Sequence, residues 1–328
     1  SFSLVPKDDN SLLLINSGMA PMKKYFTGEV TPPRKRVTTC QKCIRTPDIE
    51  RVGITARHGT FFEMLGNFSF GDYFKHEATA WAWEFFTKVL EMPPEKLYVS
   101  IYEDDDEAFD IWTKEVGVDP SHMVRLGKED NFWEHGSGPC GPCSEIYVDR
   151  GPAHGRDGGP AVDEDRFLEI WNLVFQTEDL SAVRAKDDFD VARQLPSKNI
   201  DTGAGLERIA YLLQGVDNMY EIDEIFPVIE KAAELSGRRY GANHDDDVRL
   251  RVVGDHVRSA LMLMTDGVAP GNEARGYVLR RLLRRSIRSM RLLGVGDKVL
   301  PELLPVTRDL MSASYPEITR EWDRVCAS

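Results

Sequence analysis

The feature that most constrains this chain is a change in apolar periodicity near residue 235. Before it, apolar residues come in short, often aromatic runs broken by glycine, such as Thr60-Phe61-Phe62-Glu63-Met64-Leu65 and Phe68-Ser69-Phe70 around Gly59, Gly66 and Gly71. Runs of that kind favour strands. Beyond it, apolar positions recur at helical spacing and arginine becomes frequent. A strand-rich part followed by a helical part predicts an α+β chain, with one domain over 1–235 and an α-helical domain over 236–328. A length of 328 residues suits two domains.

Local patterns sharpen this picture. Leu12-Leu13-Leu14-Ile15 predicts a buried strand entering a turn at Asn16-Ser17-Gly18, and 31–50, rich in Thr, Pro and Arg, predicts irregular chain. Ala78, Trp81, Ala82, Phe85, Phe86 and Val89 form a helical stripe that stops before Pro93-Pro94. A strand is expected at Leu97 to Tyr102, an acid-capped helix at Asp104 to Val116, and strands at Glu145 to Val148 and Phe167 to Phe175. Loops are expected over 136–143, 151–165 and 177–198, and Asp201-Thr202-Gly203-Ala204-Gly205 is expected to open a helix.

Apolar residues make up 41% and charged residues 29%, so an enzyme-sized core is feasible. No apolar run approaches the ~20 residues of a membrane-spanning helix, so no membrane partner is expected. Ser1-Phe2-Ser3-Leu4-Val5-Pro6 lacks the basic and apolar regions of a secretory leader, which gives a cytoplasmic reading. A net charge of -13 argues against nucleic acid covering the whole surface but allows a local basic stripe. Arg275, Arg280, Arg281, Arg284, Arg285, Arg288 and Arg291 run without an acid among them, opposite an apolar stripe of Leu279, Leu282, Leu283, Ile287 and Met290. Such a face could follow RNA phosphates, or could be a solvated face paired with acids elsewhere.

Cys40 and Cys43 form one CxxC pair and Cys140 and Cys143 a second, while Cys326 stands alone. Brought together, the pairs would make a four-cysteine structural zinc site; kept apart, the Gly-Pro-Cys-Gly-Pro-Cys segment is a tight turn. A GxGxxG pattern at Gly136-Ser137-Gly138-Pro139-Cys140-Gly141 lacks a preceding strand, and Pro139 and Pro142 would spoil the helix after it. It is a chance match, and no GxxxxGK[ST] loop occurs.

Six blocks in order carry a resemblance: 55–74, 131–133, 138–143, 169–175, 199–208 and 272–281. Among them are Thr55-Ala56-Arg57-His58-Gly59, Glu169-Ile170-Trp171-Asn172-Leu173-Val174-Phe175 and Asp201-Thr202-Gly203-Ala204-Gly205-Leu206-Glu207-Arg208. On these the chain resembles the alanyl-tRNA synthetases, a class II family. The resemblance implies an antiparallel sheet flanked by helices, a truncated helical tRNA-recognition domain, and use of ATP and Mg²⁺ to turn alanine into alanyl-adenylate for the acceptor stem of tRNA(Ala). It also implies roles. Arg57 would steady the α-phosphate and Arg208 the terminal phosphate, with Phe62, Glu63, Met64 and Gly205 on the ATP side. Met19, Trp133, Asn172, Val174, Asp201 and Gly203 would form the alanine side, Asp201 taking the ammonium. Asn272, Arg280, Arg281, Arg284 and Arg288 would meet tRNA. Met19, Trp133 and Val174 could equally be core residues, and Asp201 a helix cap.

The chemistry makes these residue types sensible. A carboxylate attacking the α-phosphorus is already ionised at neutral pH and needs no general base. Positioning and charge stabilisation remain, and the planar guanidinium fork serves both. One departure stands out: after Phe175 come Gln176-Thr177-Glu178-Asp179, where family members more usually have an aromatic and an Asn-Arg. An alanine-activating paralogue serving another acceptor, or an RNA-binding paralogue without activity, would keep the same fold.

Overall fold

The computed structural model describes residues 1–134, 138–185 and 187–328, with side chains outside 181–185. Among the described residues there are eight strands and ten α-helices, and the chain clusters into two units. One comprises Ser17–Gln41 and Met64–Gly205, the other Ser1–Asn16, Lys42–Glu63 and Leu206–Ser328.

The first unit is organised on the sheet. Its strands are β1 (Arg36–Ile44), β2 (Phe61–Phe70), β3 (Leu97–Tyr102), β4 (Met123–Leu126), β5 (Phe132–Trp133), β6 (Gly138–Asp149), β7 (Phe167–Ala185) and β8 (Asp188–Gly205). The unit boundaries fall inside β1 and β2. The order is β1-β2-β8-β7-β6-β3-β4, with β5 on β6. The pairings of β8 with β2 and β7, and of β6 with β3, β5 and β7, are antiparallel; β3 and β4 run parallel. The expected antiparallel sheet is thus mixed at one edge. Helices α1 (Lys23–Thr27), α2 (Lys75–Glu84), α3 (Asp106–Asp110) and α4 (Lys128–Asn131) accompany it. Helix α2 runs on through a wider turn, Phe85–Val89, where Phe85 and Phe86 meet Trp171 on β7 edge-to-face. Helix α3 is capped as expected: the Asp105 carboxylate accepts from the Ala108 amide at 3.1 Å.

Several local expectations give way here. Within 177–198, residues 177–185 and 188–198 form the outer arm of the paired strands β7 and β8, joined out to Ala185 and Asp188. Its β8 half is mostly exposed, so backbone pairing holds it and no buried face writes an alternating pattern into the sequence. Within 31–50, residues 36–44 are β1, and its outer part alternates exposed with half-buried positions. Leu12 to Ile15 is not a strand; Leu14 and Ile15 are buried in a loop where the Ile15 amide donates to Leu4. Residues 138–143 are strand; the positions before them, including Gly136 and Ser137 of the chance glycine pattern, lie outside the described residues. Asp201 to Gly205 continue β8, and the helix opens only at Leu206.

The second unit is helical: α5 (Leu206–Gln214), α6 (Phe226–Ser236), α7 (His244–Thr265), α8 (Ala274–Leu292), α9 (Leu300–Met311) and α10 (Glu317–Ala327). Asn243 caps α7 by accepting from the Asp246 amide at 3.0 Å, and three acids fill its first turn. From Leu250 onward α7 is nearly all buried, packing against α6, α8, α9 and α10. A Cβ at Gly254 would come within 2.8 Å of Ile229 on α6, so glycine sets that close crossing. Among the described residues no helix is long and apolar enough to cross a membrane.

Candidate active site

In the sheet unit, strand register gathers the expected alanine-side residues. Asp201 on β8 pairs with Val174 on β7 and with Phe68 on β2, while Val174 pairs with Cys143 on β6. One row along, Gly203 faces Asn172, which faces Glu145. Positions two apart share a face, so Asp201, Gly203, Asn172, Val174 and Gln176 all address the same side. Gln176 Nε2 donates to Asp201 Oδ2 at 3.0 Å. Asp201 is only 6% exposed, and burial pushes its carboxyl up to about 7 against the lowering effect of that bond. Asn172 Oδ1 and Gln176 Oε1 are also buried, without a hydrogen-bond partner among the described residues. Asp201 therefore lies within a strand instead of capping a helix.

Met19 is 1% exposed in a cluster with Met22, Phe26, Phe68 and Phe70, and Trp133 packs against its edge. Met64 accepts from the Gly18 amide through Sδ at 3.3 Å. Its Sδ would lie 2.7 Å from a Cβ at Gly203, so that glycine leaves room for Met64. Gly205 is the last residue of β8, opposite Met64.

The expected phosphate-side residues Arg57 and Arg208 belong to the helical unit, as do Phe62 and Glu63. Both arginines bear on His58, whose imidazole is lowered to about 4 by burial first, then by Arg57, Arg51 and Arg208. Asp48 opposes this, with its carboxylate 3.8 Å from Nε2. His58 is thus neutral at physiological pH in a cationic setting suited to anions. The Tyr220 hydroxyl fixes this loop, donating to the His58 carbonyl and accepting from the Gly53 amide at 2.8 Å. Phe62 carries the Arg45 guanidinium 5.0 Å from its ring centre. Glu63 is buried; its amide donates to the Glu207 carboxylate at 2.7 Å, and Tyr315 donates to its Oε1 at 2.6 Å.

Asn272, just before α8, and Tyr277, Arg280, Arg281, Arg284, Arg285 and Arg288 on it line one cavity of about 300 Å³. Arg280 contacts the Asn272 amide oxygen, and Glu50 pairs with Arg281 at 2.9 Å and Arg285 at 3.2 Å. Arg284 and Arg288 make no ion pair among the described residues.

The two CxxC pairs do not come together: Cys40 lies on β1 and Cys140 on β6, with β2, β8 and β7 between. Among the described residues no three His, Cys, Asp or Glu side chains are grouped to hold a metal ion. A four-cysteine zinc centre therefore does not fit this arrangement.

Gln176, His58 and Arg258 escaped the sequence reading. Gln176 could have been found by extending the alternation Asn172, Val174, Gln176 one step further along the strand. His58 stood inside a quoted block, but only its buried setting between arginines distinguishes it. Nothing local marked Arg258, whose partners lie 34 to 195 positions away in sequence.

Comparison with known proteins adds an independent line. Residues 1–327 match the family described as tRNA synthetases class II (A). The alanine–tRNA ligase of Cutibacterium acnes is 64% identical, over 97% of this chain and 37% of its own length. Those of Nocardioides sp. and Kineococcus radiotolerans are 62% and 61% identical, over 97% and 100% of this chain and 36% and 37% of theirs. The chain thus spans a little over a third of the length of these curated relatives.

Proposed function

Since the chain belongs to the class II tRNA synthetase family, we propose that it is a cytoplasmic enzyme activating alanine with ATP, giving alanyl-adenylate and pyrophosphate. The adenylate would then be passed to the 3′ end of tRNA(Ala). The alanine–tRNA ligases at 61–64% identity support that choice of amino acid.

One observation carries the reading: a buried group of acceptors that no cationic side chain hydrogen-bonds among the described residues. The Asp201 carboxylate, Asn172 Oδ1 and Gln176 Oε1 share a sheet face, and the two amide oxygens have no partner among the described residues. An ammonium brings three donors and a positive charge, which would satisfy the amide oxygens and ionise Asp201. Trp133, Val174 and Met19 would give the side-chain end of the pocket apolar walls suited to a methyl group. Gly203 would leave room for Met64 at the substrate's edge.

The alanine carboxylate would attack the α-phosphorus, the bond to pyrophosphate would break, and charge would build on phosphate oxygens. Arg57 would hold the α-phosphate and Arg208 the terminal phosphate. Phe62, Glu63, Met64 and Gly205 would border the nucleotide. Class II synthetases in general use Mg²⁺ with ATP, where the ion neutralises phosphate charge. Asn272 before α8 and Arg280, Arg281, Arg284 and Arg288 on it, within 236–328, would receive the acceptor stem through its shallow groove and phosphates.

Titration with a non-hydrolysable alanyl-adenylate analogue tests this directly. Submicromolar binding is expected, weakened at least a hundredfold in Asp201→Ala. Equal affinity for both proteins would defeat the reading of the acceptor group.

A further inference from the structure

We infer that Arg258 is a positioning residue for the ATP half of the reaction, holding Glu63 and Glu207 so that the segments bearing Phe62 and Arg208 keep one geometry. The inference rests on the reading of those two segments as nucleotide-binding.

Arg258 lies on α7 and is 1% exposed. Its Nη2 stands 3.4 Å from Glu207, 3.5 Å from Glu63 and 3.5 Å from Glu224, and its guanidinium lies 4.8 Å from the Phe61 ring centre. Nη1 reaches the Phe61 carbonyl at 3.5 Å. One cation thus serves three carboxylates on separate stretches of chain, at distances too long for any single strong pair. The Glu207 carboxylate bridges the set, accepting the Glu63 backbone amide at 2.7 and 3.2 Å. Tyr315 fixes the other end of Glu63.

The cluster sets three carboxyl groups around one buried guanidinium, which is costly unless its geometry is held. Burial raises Glu207 to about 7, and Arg258 is the main influence pulling it back. Without the guanidinium, Glu63 and Glu207 would repel, and the bridge to the β2 backbone would loosen. Phe62 and Arg208 adjoin these two glutamates in sequence, so both ends of a bound nucleotide would shift. The acceptor group around Asp201 belongs to the other unit and shares no residue with this cluster.

The test is direct calorimetric titration of ATP–Mg²⁺, and separately of alanine, into the whole chain and into Arg258→Met, Arg258→Lys and Tyr315→Phe. Arg258→Met is expected to weaken ATP at least tenfold and leave alanine within twofold. Arg258→Lys should recover part of the loss, and Tyr315→Phe should weaken ATP about threefold. Unchanged ATP affinity in Arg258→Met, or equal weakening of ATP and alanine, would overturn the inference. If Arg258→Met does not fold, the milder pair decides: unchanged ATP affinity in both Arg258→Lys and Tyr315→Phe overturns it. Unmodified protein that binds ATP but not alanine would refute the alanine reading while leaving this comparison intact.

Discussion

Gln176 donates to Asp201 at 3.0 Å across the β7–β8 ladder, while its own amide oxygen stays buried without a partner among the described residues. The pair holds a carboxylate ready for a cation and offers a second acceptor beside it. Gln176→Leu should therefore raise the KM for alanine about three- to tenfold, the worth of one hydrogen bond in a buried site, with the KM for ATP unchanged. Steady-state kinetics with each substrate varied in turn checks this.

With Asp201 as the proposed partner of the ammonium, alanine binding should depend on pH. Its folded value, about 7, lies above the ordinary 3.8, so between these values the folded protein keeps a proton that the unfolded chain has lost. Its contribution to stability is therefore full at low pH and lost as pH rises through about 7. An ammonium needs the ionised form, so alanine affinity should rise about tenfold per pH unit below 7 and flatten above it. Gln176→Leu removes the bond that lowers Asp201, which should move the curve to higher pH. Titration calorimetry from pH 5.5 to 8.5 measures both effects, and a flat profile would remove Asp201 from the role.

Gly141 bears on stability rather than chemistry. It lies where β6 slips register against β7, and a Cβ there would sit 1.8 Å from the Phe175 carbonyl oxygen. Backbone cannot yield as a flexible side chain would, so Gly141→Ala should cost about 3 kcal/mol or more, seen as a lowered denaturation midpoint. An unshifted midpoint would show that the two strands can part there.

The arginines of α8 should act additively on RNA. Arg284 and Arg288 make no ion pair among the described residues, so replacing each with Ala should reduce the salt dependence of tRNA binding by about one counterion. Arg281 already pairs with Glu50, so Glu50→Ala should tighten binding modestly. Fluorescence anisotropy over a salt series distinguishes these outcomes; identical slopes would place RNA elsewhere.

Much of this was legible in the sequence because burial writes patterns. Leu97 to Tyr102 is a strand at its expected bounds, since one of its faces must be apolar. The helices beyond 236 follow from spacing. What escaped is structure that burial does not encode. The β8 half of the outer β7–β8 arm is mostly exposed, and its ladder of backbone bonds leaves no mark on side-chain choice. Asp201 to Gly205 looked like a helix start because Asp and Gly commonly stand there, yet Gly203 serves a strand that must leave room for Met64. Asp201, Asn172 and Val174 were recognisable by resemblance. Gln176 was hidden because the strand was expected to end at Phe175.

The measurement that bears most directly on the central claim is alanine-dependent exchange of pyrophosphate into ATP. It should be run with glycine and serine alongside, and with Arg57→Ala and Asp201→Ala. Exchange is expected with alanine, weaker with glycine by the worth of one methyl, about 1–3 kcal/mol, and lost at least a hundredfold in both variants. Absence of alanine-dependent exchange from folded, ATP-binding protein, or exchange undiminished in both variants, would contradict it.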